Sequence, residues 1–312
     1  MAMLCTASAL PHAARGDAEA AGWALKNYGA VLIKTTGQVV SADEFKQLAV
    51  AAWQAAGHPS STQEYNGPGS VNRAEIYEGV YDVNAGRTNT MPVPPHSEQS
   101  YLFLVPRFVA FSCWEQAKSG GHLELFDNAK IVQALPDFTA KLRAYNVTYQ
   151  RVLGDRTKGN WSYATGHWQT KYGTSSFAEA QKKAAEDTIL GGPAGSTLKP
   201  HLQDTALMEW TVPAVSDGYM LNAILDNQRS FNENDGLAPF HSQFGNGEEF
   251  SSKDLEALRR STQEALTHQI LMEPGDVVVL DNWRWAHGRQ PYEGKRVHGS
   301  VISDRRPVHG IF

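Results

Sequence analysis

Cysteine is nearly missing from this chain of 312 residues, which has two, Cys5 and Cys113. That count excludes a disulfide framework and a cysteine-built zinc site. Cys113 sits in the apolar run 108–114, where a free buried thiol is expected. Also missing is any apolar run long enough to span a bilayer, so membrane embedding is excluded. There is no cluster of basic residues of the kind that follows a phosphate backbone. With 28 Lys+Arg against 33 Asp+Glu, a net charge of −5, nucleic acid is not an expected partner. Met1 to Leu10 has no basic start and is broken by Pro11 and His12, so a secretory leader reads poorly and a cytoplasmic location is expected. Repeats, low-complexity tracts and composition-marked linkers are absent as well.

What is present is ordinary globular material, 41% hydrophobic and 20% charged, in a length that one large β-rich domain can fill. The expectation is a single domain over 1–312, with a long insert of helices and loops at about 153–250 acting as a lid. Asp17 opens a helix over about 17–28. Ser41 and Glu44 form a capping box for a second over 41–56. Short β-type runs follow at 30–34, 108–114, 147–152, 219–224 and 277–280, separated by Gly, Pro and Asn turns. Helical patterns appear at about 127–144, 175–187 and 251–267, the last capped by Ser252 and carrying Leu255, Leu258 and Leu266 on its apolar face. The pattern is α+β, mainly β, with a rolled or sandwiched sheet. Gly154–Gly173 and Asn232–Gly247 read as loops over a mouth. Trp161, Tyr163, His167, Trp168 and Tyr172 form either an aromatic lid or a loop pinned by its own rings.

The chemistry concentrates in two places. In PPHSEQSYL, 94–102, His96 and Glu98 are two apart, so on an extended segment both side chains leave the same face and can share one ion. Far downstream, GDVVVLDNWRWAHGR, 275–289, is a strand, a turn at Asp281–Asn282 and a second strand ending in His287. Two imidazoles and one carboxylate on one face of a metal leave three positions open, the arrangement of non-haem Fe(II) oxygenases. A 2-oxo acid fills two and O2 the third. The distal carboxylate of such a co-substrate needs a fixed cation, and Arg296 offers a planar fork. Spacing alone does not decide the metal pair, because His122 and Glu124 repeat it in SGGHLELFD, 119–127.

Several ordered blocks resemble the TauD/TfdA family of Fe(II)/2-oxoglutarate dioxygenases, within it the SyrP-like amino-acid hydroxylases. They are HSEQSYL at 96–102, VPRFVAFSCWEQAKSGGHLELFDNAKIVQAL at 105–135, NVTYQRVLG at 146–154, DGYMLNAILDNQ at 217–228 and GDVVVLDNWRWAHGRQPYEGKR at 275–296. Together they cover about two thirds of the chain. The resemblance implies a double-stranded β-helix, or jelly roll, with flanking helices. It implies His96, Glu98 and His287 as catalytic metal ligands for Fe(II), and Arg296 as the anchor of 2-oxoglutarate. Two departures stand out. Glu98 replaces the commoner Asp. Where the family usually writes Gly-Gly-x-Thr, this chain has Gly120-Gly121-His122-Leu123, so His122 becomes the candidate to replace the lost hydroxyl.

The expected reaction is oxidation of an unactivated C–H bond in a small amino-acid-like or natural-product substrate of secondary metabolism. Hydroxylation is the default, and desaturation or ring closure are alternatives on the same ligands. Candidate substrate residues are Arg73, Gln99, Tyr101, Asn222 and Trp285. Each has a structural reading beside it: an ion pair for Arg73, solvent for Gln99, strand-end hydrogen bonds for Asn222, wall or core for the two aromatics. Competing readings are a zinc hydrolase or isomerase on the same ligands, and a non-catalytic binding module. A carrier-tethered substrate is a further variant of the oxygenase.

Overall fold

Period-two alternation builds the largest sheet. In Phe108–Glu115, the side chains of Val109, Phe111 and Cys113 join one core cluster, whereas Phe108 and Ala110 join another. Val277–Asp281 repeats this, with Val278 and Leu280 on the first face and Val277 and Val279 on the second. A strand covered on both sides carries a near-continuous apolar run, and these do, with Ser112 the one polar residue inside the run 108–114. In the computed structural model, described for residues 9–65, 73–83, 89–158, 166–213, 221–227 and 240–307, the sheet has eight strands. Its order is His12–Ala14, Ala30–Lys34, Val277–Asp281, Phe108–Glu115, Val297–Ser303, Val80–Asp82, Glu75–Tyr77, with Thr62–Gln63 added to Val297–Ser303. All these pairs are antiparallel except the first.

Two helices cover one face. Ala18–Tyr28 is capped by Asp17, whose side chain accepts from Ala20 N–H, and it buries Ala21, Ala24 and Leu25. Ala42–Ala55 buries Phe45, Ala49, Ala52 and Trp53, a stripe at helical spacing. Ser41 accepts from Glu44 N–H as expected, but the return half of the capping box is not made, because the Glu44 carboxylate pairs with Arg15. The helices pack so closely that a Cβ on Gly22 would stand 2.4 Å from that of Ala55. Any larger residue there must push the helices apart, at about 1–3 kcal/mol.

On its other face the large sheet meets a four-stranded antiparallel sheet ordered Leu266–Ile270, Leu123–Asp127, Trp285–Arg289, Val93–His96. Leu123, Leu125, Ile270 and Trp285 of this sheet share a core with Val109, Phe111, Cys113, Val278 and Ile302 of the other. The result is a double-stranded β-helix with flanking helices, as the resemblance implied. Cys113 is the buried free thiol expected, and burial pushes it up to about 12; Cys5 lies outside the described residues.

The chain divides into two compact units, one made of 1–98, 106–130 and 262–305, the other of 99–105, 131–261 and 306–312. The jelly roll is the first. The second holds its own antiparallel sheet, ordered Thr197–Pro200, Ala206–Val212, Val147–Leu153, Phe240–Phe244, and contains the whole of 153–250.

Several expectations are corrected. The pattern at 127–144 is two helices, Asn128–Ala134 and Pro136–Tyr145, because Pro136 cannot continue the first and starts the second. The run at 219–224 is no strand where described: Leu221–Asp226 is a helix. For Ser252–Glu264 the capping oxygen belongs to Ser251, which accepts from Asp254 N–H, and Leu266 already opens the next strand. The helix expected at 175–187 is Phe177–Ala185, capped by Ser176. Trp168 and Tyr172 are buried in the second unit, the Tyr172 hydroxyl 3.1 Å from Met208 Sδ; Trp161 and Tyr163 lie outside the described residues. Among the described residues no helix is long and apolar enough to cross a membrane.

Candidate metal centre

Strand pairing brings the two histidines together. Val93–His96 runs antiparallel to Trp285–Arg289 with His96 directly opposite His287, and their ring centroids lie 4.4 Å apart. Directly opposed residues of an antiparallel pair stand closest, so 190 residues of intervening chain cost the site nothing in reach. Glu98 arrives differently. The strand ends at His96, so Glu98 lies in the following turn, not on the extended segment expected of it.

That turn is held by a side chain. Asn282, fully buried in the turn between the two downstream strands, accepts the Glu98 N–H at 2.6 Å and donates to the carbonyls of Glu98 at 3.0 Å and Pro106 at 2.9 Å. Asn128 ties the neighbouring Ser97 to the carbonyl of Trp283. Asn282 was read from sequence only as a turn residue. An Asn in a turn has the same appearance whether it serves its own backbone or a distant one.

One ligand atom from each of His96, Glu98 and His287 lies within 4.8 Å of the others, and among the described residues no other group of three or more His, Cys, Asp or Glu converges so. His122 and Glu124 are not part of it. The Glu124 carboxylate accepts from Gln269 and Gln290, each at 2.9 Å. His122 precedes the strand Leu123–Asp127; its Nδ1 is buried without a hydrogen-bond partner, and Leu123 is the residue that enters the core.

The electrostatics suit a cation. Burial, then His96 and Arg73, hold His287 well below the usual histidine range, so it is neutral with a lone pair to give. Its Nδ1 is buried with no hydrogen-bond partner. His96 Nδ1 lies 3.0 Å from the carbonyl of Pro94. In neutral imidazole the proton then sits on Nδ1, which leaves Nε2 as the donor to metal. Glu98 is 6% exposed; its Oε2 accepts from Arg73 Nη2 at 2.8 Å and from the Tyr65 hydroxyl at 3.4 Å. Two imidazoles and one carboxylate fit a divalent first-row ion.

Arg296, in the same unit, is 8% exposed, and its Nε and Nη1 have no hydrogen-bond partner. Burial, and Arg289 nearby, push it down to about 10, so it remains charged at neutral pH. The ring of Tyr292 lies 5.6 Å from its guanidinium carbon and 4.8 Å from that of Arg289. A Cβ on Gly121 would stand 3.2 Å from Arg296 Nε, and Gly121 has φ 74, so glycine meets both demands here. A buried guanidinium with open donors fits an anionic ligand.

The five candidate substrate residues scatter. Arg73 is turned onto Glu98. Trp285 packs in the jelly-roll core, its indole N–H donating to Tyr28 C=O at 2.9 Å. The other three belong to the second unit. Gln99 is buried with φ 57, and its carbonyl accepts from Leu102. Tyr101 stacks under the Arg151 guanidinium at 4.5 Å, and its carbonyl accepts from Trp210. Asn222 is 1% exposed on the helix Leu221–Asp226.

A jelly roll that gathers two imidazoles and a carboxylate around one point is the frame of a mononuclear iron oxygenase. The model of the taurine catabolism dioxygenase TauD, TfdA family matches residues 8–302, and the chain belongs to that family. Its class is 2-oxoglutarate-dependent dioxygenase, with iron as the metal. The chain is similar to the dapdiamide synthesis protein DdaC of Enterobacter agglomerans, 24% identical over 77% of this chain and 73% of the relative. It is also similar to a clavaminate synthase-like protein of Arabidopsis thaliana, 21% identical over 73% and 69%. Among solved structures, AAD-2 in complex with Mn(II) and N-oxalylglycine aligns with a TM-score of 0.46 at 15% identity, covering 94% of this chain and 89% of that one. PvcB, an Fe, alpha-ketoglutarate dependent oxygenase from an isonitrile synthetic pathway, gives 0.43 at 13% identity, covering 92% and 82%.

Proposed function

We propose that this dioxygenase oxidises an unactivated C–H bond of a small amino-acid-like substrate in secondary metabolism, by hydroxylation, with His96, Glu98 and His287 holding Fe(II). The observation that carries the ligand assignment is the convergence of the three ligand atoms within 4.8 Å. Similarity to a dapdiamide synthesis protein supports the substrate class. Iron with bound 2-oxoglutarate and O2 supplies the oxidising power. The chain's own groups do the holding: Pro94 C=O orients His96, Asn282 fixes the backbone of Glu98, and Arg296 receives the distal carboxylate of the co-substrate. His122, half-buried two residues after Gly120, is a weaker candidate for that carboxylate, since Leu123 takes the place on the inner face.

The test is spectroscopic. Fe(II) and 2-oxoglutarate added without air should give a visible metal-to-ligand band, and His96→Ala or His287→Ala should remove it. A band that survives either substitution, or a wild-type protein that shows none, contradicts the assignment. Succinate release stimulated by candidate amino acids, free or attached to a carrier protein, then screens the substrate class.

A further inference from the structure

The two oxygens of Glu98 stand in different surroundings. Oε2 accepts from Arg73 at 2.8 Å and from Tyr65 at 3.4 Å, whereas Oε1 makes no hydrogen bond among the described residues. The clamp is itself braced. Tyr65 is 1% exposed and leans on Tyr81 with ring centroids 5.3 Å apart; the Arg73 guanidinium lies 4.7 Å over the Tyr65 ring, and Nη1 donates to Asp82 C=O at 3.4 Å.

We infer that Tyr65 and Arg73 are positioning residues that hold Oε2 away from the metal, so that Glu98 coordinates through Oε1 alone. This rests on the metal assignment proposed above. A glutamate, with one more rotatable bond than aspartate, can swing both oxygens onto an ion. A six-coordinate ion with three protein atoms keeps three open positions, and a second oxygen from Glu98 would take one of them. A charge-assisted hydrogen bond to Oε2 prevents that at the cost of a site-facing arginine. Arg73 therefore serves the carboxylate, in place of the substrate role expected from sequence.

Mn(II) is the probe. Inner-sphere waters on the Mn(II)-loaded protein are counted by 17O electron-nuclear double resonance, and 2-oxoglutarate affinity is measured by calorimetry. Wild type should hold about three waters, and the Tyr65→Phe/Arg73→Met variant one fewer. The variant's affinity for 2-oxoglutarate should fall at least about tenfold. Removing the Arg73 charge favours a divalent cation by itself, so Mn(II) affinity should not fall. Arg73→Lys, which keeps a donor and the charge, should recover most of the lost affinity. Tyr65→Phe alone deletes one oxygen atom, so it keeps the test open should the double variant fail to fold; about a threefold loss is expected. Unchanged water count and unchanged 2-oxoglutarate affinity overturn the inference. Mn(II) binding that survives His96→Ala overturns the metal assignment instead, and is read independently of the variants at 65 and 73.

Discussion

His96-Ser97-Glu98 and His122-Leu123-Glu124 have the same spacing and opposite fates. The first stands across a strand pair from His287, and its carboxylate meets an arginine and a tyrosine. The second opens a strand whose core-facing residue is Leu123, and its carboxylate is taken by Gln269 and Gln290. Both are a histidine and a glutamate two apart. What separates them is register and face: the strand Trp285–Arg289 pairs with both segments, but on one side His96 stands opposite His287 and on the other Leu125 does, with Glu124 opposite Gly288. A metal pair is thus defined by the third ligand and by the groups that orient it, and spacing only nominates it.

The largest expected effect breaks the comparison outright. His96→Ala or His287→Ala should weaken Fe(II) or Mn(II) binding more than about 100-fold, whereas His122→Ala and Glu124→Gln should change it less than about twofold. Calorimetric titration of the four variants reads both halves. Next comes the support that one pair has and the other lacks. Asn282→Asp keeps the shape but removes two donations and sets a carboxylate against the carbonyls of Glu98 and Pro106. Metal affinity should fall about 10–100-fold.

A smaller effect separates inner-face histidines from the rest. His287 and His298 are buried and held well below the usual range, His298 first by burial and then by Arg296. The unfolded chain, with histidines near 6.5, takes up protons first as the pH falls. Stability of the metal-free protein is therefore complete above about 6.5 and declines below it, by about 1.4 kcal/mol per pH unit for each such histidine. His298→Gln should flatten the decline by one histidine's share in denaturation measured between pH 6.5 and 5.5. The smallest effect is that of Glu124→Gln, which keeps an acceptor for both glutamines and should shift unfolding by less than about 1 kcal/mol.

How far the sequence was legible follows the range of the interactions. Ala30–Lys34 and Val277–Asp281 were readable because β-branched runs between turn residues favour strands whatever lies beside them. The turn at Asp281–Asn282 was readable for the same local reason. The grip of Asn282 on Glu98 spans 184 positions, and that of Arg73 on Glu98 spans 25, so neither leaves a trace in spacing. The helix Leu221–Asp226 was misread as part of a strand because a short apolar run has too little length to show its period. The second compact unit was not visible either. It collects 99–105 from outside its main stretch, and no linker composition marks the boundaries.

The most direct measurement is anomalous diffraction at the iron edge from anaerobic crystals soaked with Fe(II) and 2-oxoglutarate. The account predicts one peak, bonded to His96, His287 and a single oxygen of Glu98, with co-substrate density reaching Arg296. A peak beside His122 and Glu124, or a site near His96 that lacks His287 as a ligand, would contradict it.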